Sequence, residues 1–513
     1  MKKQSAFWGL LLSFTVWHAT VINVPGDYPT IQGGINASVN DDIVLVQPGI
    51  YFGDIDFTGK EITLCSLFYT TQDTSYISET ILDGNNSGSV VKFENGENSN
   101  SILSGFTITN GNAYSGGGIY CTNSEPVLEN LRIINNVACI GGGIYCYDNS
   151  GPNMTNLTIA GNFAEDMGGG IYCFDNSDLH LNNVRIIDNS AEMGGGIFCI
   201  DYSNLLLINV VIRNNSAYGG GGIYCYDHSG PNLNGVTITD NSAIFGGGIL
   251  CNWYSSPNFS SSNRCNIFLN GVNNRGVGCD IYTDSNINVI VDTFTVMNPT
   301  DFHTSPLENF TFDILNGIQT QFNADLFVSS EGDNNNSGLT VDEPLRTIQY
   351  ACSIILADSL DPHTIYLAEG IYSPAVNGEY LPVSIPEFVT LEGNNEAEVI
   401  IDGEYSNGVF RFENVENVKI SDLTIINGYL SHGGGIHCYY SNPVIENVTI
   451  TGNIATSQGG GIYCTNSNPV LTNITITDNN ASLGGGIYCF HSDPVFTNVT
   501  IAGNLAHLSV KCS

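Results

Sequence analysis

Short apolar triplets alternate along the chain with glycines and Asn/Ser/Pro corners, and the recurring side-chain period is two rather than the 3.6 of a helix. In Ile119-Tyr120-Cys121 the alternation sends Ile and Cys to one face of a strand and Tyr to the other. Three glycines lead into this triplet. The phrase returns with its cysteine at Cys121, Cys146, Cys173, Cys199, Cys225 and Cys251, which are 25, 27, 26, 26 and 26 residues apart, and again at Cys438, Cys464 and Cys489. Between these marks a second phrase repeats: Pro126, Leu128, Asn130, Leu131, Ile133, Asn136 and Ala138 correspond to Pro469, Leu471, Asn473, Ile474, Ile476, Asn479 and Ala481.

A leucine-rich repeat shares this period. Its convex side needs a helical or extended return segment, whereas here the return is Gly-Gly-Gly-Ile-Tyr-Cys followed by an Asn-Ser-x-Pro turn, which reads as a second strand. Two or three short strands per unit with no helix former between them predict an all-β fold, a right-handed parallel β-helix with one unit per coil. Coils stack about 4.8 Å apart, so like residues form ladders along the solenoid. Asn136, Asn162, Asn189, Asn215 and Asn241 make one such series, with amides placed to bond from rung to rung in a structural role.

A larger duplication lies above the short repeat. Thr30-Ile31-Gln32 returns as Thr347-Ile348-Gln349, offset 317; Gly49-Ile50-Tyr51 as Gly370-Ile371-Tyr372, offset 321; and Asp83-Gly84 as Asp402-Gly403, offset 319. The expected organisation is a signal peptide over 1–19, a first β-helix domain over 20–300, a linker or terminal coil over 301–325, and a second β-helix domain over 326–513. Each domain opens with a capping segment, of which Thr347 to Ala357 is the clearer short helix. The last repeat, Ile501 to Ala506, meets no further glycine triplet, so the second domain reads as truncated.

Composition narrows the function classes. Acidic residues outnumber basic ones 50 to 13, a net charge of -37, which excludes the basic footprint that nucleic acids require. No apolar run reaches the length of a membrane-spanning helix. Lys2 and Lys3 ahead of the apolar stretch from Ala6 to Val16, then Ala19, have the layout of a bacterial-type secretory signal, so the expected location is secreted or cell-surface. Of the 15 cysteines, nine share the inward rung, where parallel side chains make good disulfide torsion difficult; buried thiol stacks are expected.

The opening Val24-Pro25-Gly26-Asp27-Tyr28-Pro29-Thr30-Ile31-Gln32, with Pro48-Gly49-Ile50-Tyr51 after it, resembles the N-terminal cap and first coil of pectin-lyase-like β-helix proteins. The Gly-Gly-Gly-Ile and Ile-x-x-Asn phrases are similar to the repeats of chlamydial-type polymorphic outer membrane proteins. These resemblances imply a surface location, in a superfamily that contains both enzymes and inert surface proteins.

Carbohydrate-cleaving members need carboxylates, or an Arg or Lys base aided by Ca²⁺, clustered on one outward face. Arg132, Arg185 and Arg213 lie on one strand series, but Thr158 and Thr237 interrupt it. Gln72-Asp73-Thr74 matches a short piece of the pectin methylesterase signature without its companion motifs. No catalytic residue is assigned and no cofactor is required. Two outward series are candidate binding features. Tyr120, Tyr145, Tyr172, Phe198 and Tyr224 form an aromatic ladder suited to sugar rings or a protein partner. Asp148, Asp175, Asp201 and Asp227 place one carboxylate per coil, a candidate Ca²⁺ series. The expected function is an exported, noncatalytic, adhesin-like or scaffold protein; the alternative is a carbohydrate-active enzyme or glycan-binding module. The charge weighs against uronate substrates unless Ca²⁺ bridges.

Overall fold

The structure, a computed structural model, describes residues 19–272 and 278–507; the secretory-signal reading falls outside them except for Ala19. The chain winds into a parallel β-solenoid of about 18 turns. Every named strand pairing is parallel, because each coil returns to lie beside the equivalent strand of the coil before it.

Three long sheets run along the stretch from Val21 to Gly317. One ten-stranded sheet extends from Val21–Val24 to Asn258–Phe259, another from Ile55–Asp56 to Thr304–Ser305, and an eleven-stranded sheet from Gly49–Phe52 to Phe310–Gly317. The register is in phase with the repeat: Ile119, Ile144, Ile171, Ile197, Ile223 and Ile249 pair in succession, as do the cysteines two residues on. Ile and Cys of these triplets are buried, as alternation predicts. The fourteen described cysteines are free, and Cys199 and Cys225 approach to 3.4 Å between sulfurs. Burial holds the Cys146 and Cys173 thiols well above their ordinary range.

The glycine triplet exists because two backbones meet there. Gly142 and Gly143 lie so close to the next coil that an added Cβ would sit 2.4 Å from the Phe163 carbonyl oxygen and 2.5 Å from that of Gly170. Gly141 before them has φ +67°, a conformation open to glycine at little cost. Against this narrow wall runs the asparagine ladder, whose Asn162 Nδ2 lies 3.2 Å from where a Gly143 Cβ would be.

Leu326–Val328 begins a second set of sheets that shares no strand with the first, and its buried side chains form a separate apolar cluster. The range 301–325 carries the strands Thr304–Ser305 and Phe310–Gly317, which close the first set, so part of it is a terminal coil. After its first strand each stretch carries a short helix, Ile31–Ala37 or Ile348–Ile354, N-capped by Thr30 or Thr347. Lys60 Nζ donates to the carbonyls of Ile35, Asn36 and Ser38 at 2.6, 2.9 and 2.8 Å, a cation at the C-terminal end of the first helix.

Candidate functional site

The aromatic ladder is not the exposed strip that alternation suggested. Its rings do line up: Tyr120 to Tyr145, Tyr145 to Tyr172 and Tyr172 to Phe198 stack at 5.4, 5.4 and 5.5 Å. Yet Tyr172, Phe198 and Tyr224 are only 7, 3 and 7% exposed, too little for a ligand to reach their faces. Ile140, Met167, Met193 and Phe245, each just before a glycine turn, fold over them and make a second apolar layer outside the solenoid core. Burial, with the neighbouring Tyr120 adding to it, pushes the Tyr145 phenol up to about 12. Phe198→Ala is therefore expected to lower stability by about 3 kcal/mol in urea unfolding, as a core truncation does.

The aspartate series sits in a left-handed turn. Asp148, Asp175, Asp201 and Asp227 have φ of 56, 57, 57 and 49°, and the residue after each is also left-handed. Asp and Asn tolerate this conformation because a short polar side chain can bond locally. Asn149 Nδ2 donates to Asp148 Oδ1 and Asn176 Nδ2 to Asp175 Oδ1, both at 3.0 Å, and His228 Nδ1 lies 2.8 Å from Asp227 Oδ1. Among the described residues no group of three or more His, Cys, Asp or Glu side chains is arranged to hold a metal ion.

In the first stretch one coil departs from the Asn or Asp of this turn, as Tyr440 and His491 do at the equivalent left-handed position of the second. After Cys251 the two left-handed positions are held by Trp253 and Tyr254, with φ of 55 and 61°. Bulky residues are disfavoured there. Both are open to solvent, 58 and 77% exposed, and with Asp284 and Ser285 they line a cavity of about 380 Å³. Asp284 Oδ2 accepts the Trp253 backbone N–H at 2.7 Å and Oδ1 accepts the Ser285 hydroxyl at 3.0 Å, which fixes the carboxylate beside the indole. Tyr226 backs the indole at 5.6 Å between rings, while Tyr202, His228 and Tyr254 stack in a row at 4.8 and 5.3 Å. The sequence signal was present: Trp-Tyr occupies the place of Asp-Asn, Asp-Tyr and Asp-His in earlier coils.

Some of the cations that a lyase-type base would draw on are engaged, whereas Arg132, Arg185 and Arg213 stand exposed. Lys92, Arg264, Arg411 and Lys419 pair with Asp54, Asp313, Glu413 and Glu446. Arg132 and Arg185 share one rung position, whereas Arg213 is displaced by two, aligning with Ile187. Gln72 ends a helix at Phe68–Thr71, and Asp73 accepts the Ser75 N–H at 3.0 Å, so that tripeptide serves a turn between short helices.

Four buried ionisable groups lie at the end of the first stretch and the start of the second. Asp280 stands in the place of the third glycine and ends the asparagine ladder, accepting Asn270 Nδ2 at 2.9 Å. Asp301 accepts the Leu307 N–H at 2.9 Å, and Glu379 takes the Ile348 and Gln349 N–H groups at 2.7 and 3.0 Å. Burial pushes all three carboxyls up to about 7 and the buried His303 imidazole down to about 3. Asp301 and Phe302 line a narrow space with Ser384, Ile385, Pro386 and Arg411, so the second stretch packs on the end of the first.

A family model for right-handed β-helix regions matches residues 55–216 and 153–264, and one for proteins of unknown function, DUF1565, matches 330–511. No curated protein matches the chain. Among solved structures, the PL6 family alginate lyase AlyGC is similar over 95% of this chain and 100% of its own, at 11% identity and a TM-score of 0.26. A point mutant of that lyase covers the same shares at 10% identity and a TM-score of 0.23. Likeness this slight bears on neither substrate nor mechanism. The match to right-handed β-helix regions over 55–264 and the parallel, in-phase coils give this chain the fold of a right-handed parallel β-helix.

Proposed function

We propose that the protein is an exported, noncatalytic, adhesin-like β-helix protein that binds glycan in the cavity formed by Trp253, Tyr254, Asp284 and Ser285. The observation that carries this reading is the tryptophan at a left-handed position. The four preceding coils hold aspartate there, so the indole costs backbone energy that its neighbours avoid, and it stands largely exposed. An exposed aromatic pair beside a fixed carboxylate is suited to sugars: the rings take the apolar face of a pyranose and the carboxylate accepts its hydroxyls.

A glycan array probed with the parent and with Trp253→Ala tests the reading. At least a tenfold loss of affinity in the variant, with no release of reducing sugar by the parent, is the expected outcome. Retained affinity in Trp253→Ala, or sugar release that tracks the protein, would remove it.

A further inference from the structure

We infer that this cavity selects sugars bearing a free amine, 2-amino-2-deoxy glycans in their ammonium form, over neutral or uronic ones; the inference rests on the glycan reading above. A carboxylate offers about four lone-pair sites, and the Trp253 N–H and the Ser285 hydroxyl take one on each oxygen of Asp284. Acceptor capacity therefore remains on both oxygens. An ammonium uses it as a charge-assisted hydrogen bond, stronger than the neutral bond a hydroxyl makes there.

The walls favour the same charge. Tryptophan is the aromatic side chain that attracts cations most strongly, tyrosine does so as well, and Trp253 and Tyr254 are both open to solvent. Tyr226 behind the indole adds a third ring to this wall. Among the described residues the lining contains a carboxylate and no cation. Asp201 and Asp227 occupy the corresponding turn in the two preceding coils, and the whole chain carries 50 acidic residues against 13 basic ones. A uronate would approach a negative surface with nothing in the lining to neutralise it, whereas a polyamine glycan is drawn to it.

Calorimetric titration of the full chain with four tetrasaccharides separates the outcomes: β-1,4-linked glucosamine, its N-acetylated form, the corresponding glucose oligomer, and tetragalacturonate. At a pH where the amines are charged, the glucosamine oligomer should bind at least tenfold more tightly than the acetylated or glucose oligomers. That advantage should shrink as salt is raised, and the uronate should not bind. Asp284→Asn keeps an acceptor for the Trp253 N–H and should erase the preference while leaving a common residual affinity. Equal binding of the glucosamine and glucose oligomers, a preference for the uronate, or a preference that survives Asp284→Asn would overturn the amine selectivity and leave glycan binding standing. Failure of all four to bind, or binding unaffected by Trp253→Ala, would overturn both readings.

Discussion

Replacing Asn189 with alanine is expected to lower the free energy of unfolding by about 4 kcal/mol, read from urea titration by circular dichroism. Asn189 Oδ1 accepts from the backbone N–H and the Nδ2 of Asn162, both at 3.0 Å, and its own Nδ2 donates to the Ile159 carbonyl and to Asn215 Oδ1, also at 3.0 Å. Alanine leaves the Asn162 donors and the Ile159 carbonyl without those partners in a place that water does not reach, since Asn162 and Asn189 are almost fully buried. Collapse cannot refill the space, because the wall beside it is the tightly apposed Gly169-Gly170 backbone. A change below about 1 kcal/mol would mean that the ladder is incidental to stability.

The second large effect is a dependence on pH. Asp280, Asp301 and Glu379 hold their protons up to about 7 in the folded chain, against ordinary values of 3.8, 3.8 and 4.5. The folded state thus binds protons that the unfolded chain has released. Their contribution is fully present below about pH 4 and is lost as pH rises through about 7, on the order of several kcal/mol in total. His303 works the other way: held neutral down to about 3, it lowers stability as pH falls below its ordinary 6.5. Three groups outweigh one, so the melting temperature should rise between pH 8 and pH 5. Glu308, Glu387 and Glu413 around Asp301 act in the same direction as burial. Asp280→Asn extends the asparagine ladder by one rung and should flatten part of the slope. A melting temperature that is constant from pH 5 to 8, or that falls on acidification, contradicts the account of the seam.

Much of the architecture was legible in the chain itself. Alternation through Ile119-Tyr120-Cys121 identifies the inward residues, and the recurrence of glycine triplets places one coil per repeat. Alternation says which side of a strand a ring leaves from, but not what covers it. The covering residues, Ile140, Met167, Met193 and Phe245, stand outside the strand triplets, and only the left-handed turn at the first glycine brings them over the tyrosines. The aspartates drew attention as charges, although backbone conformation explains their recurrence. Trp253 departs from the Asp of the four preceding coils in plain sequence, but only the φ values show that the departure falls on a left-handed position. Asp280 stood in plain view in Gly278-Cys279-Asp280-Ile281, a disguised glycine triplet whose divergence conceals the last rung of the ladder.

Titrating a bound oligosaccharide into three proteins tests whether ligand binding belongs to the Trp253 turn and packing to the tyrosine ladder. Trp253→Asp installs the residue that the four preceding coils carry at this left-handed position, so it should melt at or above the parent's temperature and lose binding. Phe198→Ala should melt lower and bind as the parent does. Since the chain's tryptophans are Trp8, Trp17 and Trp253, a ligand-induced change in emission that vanishes in Trp253→Asp also reports this cavity. Binding that survives in Trp253→Asp while disappearing in a folded Phe198→Ala would contradict the account.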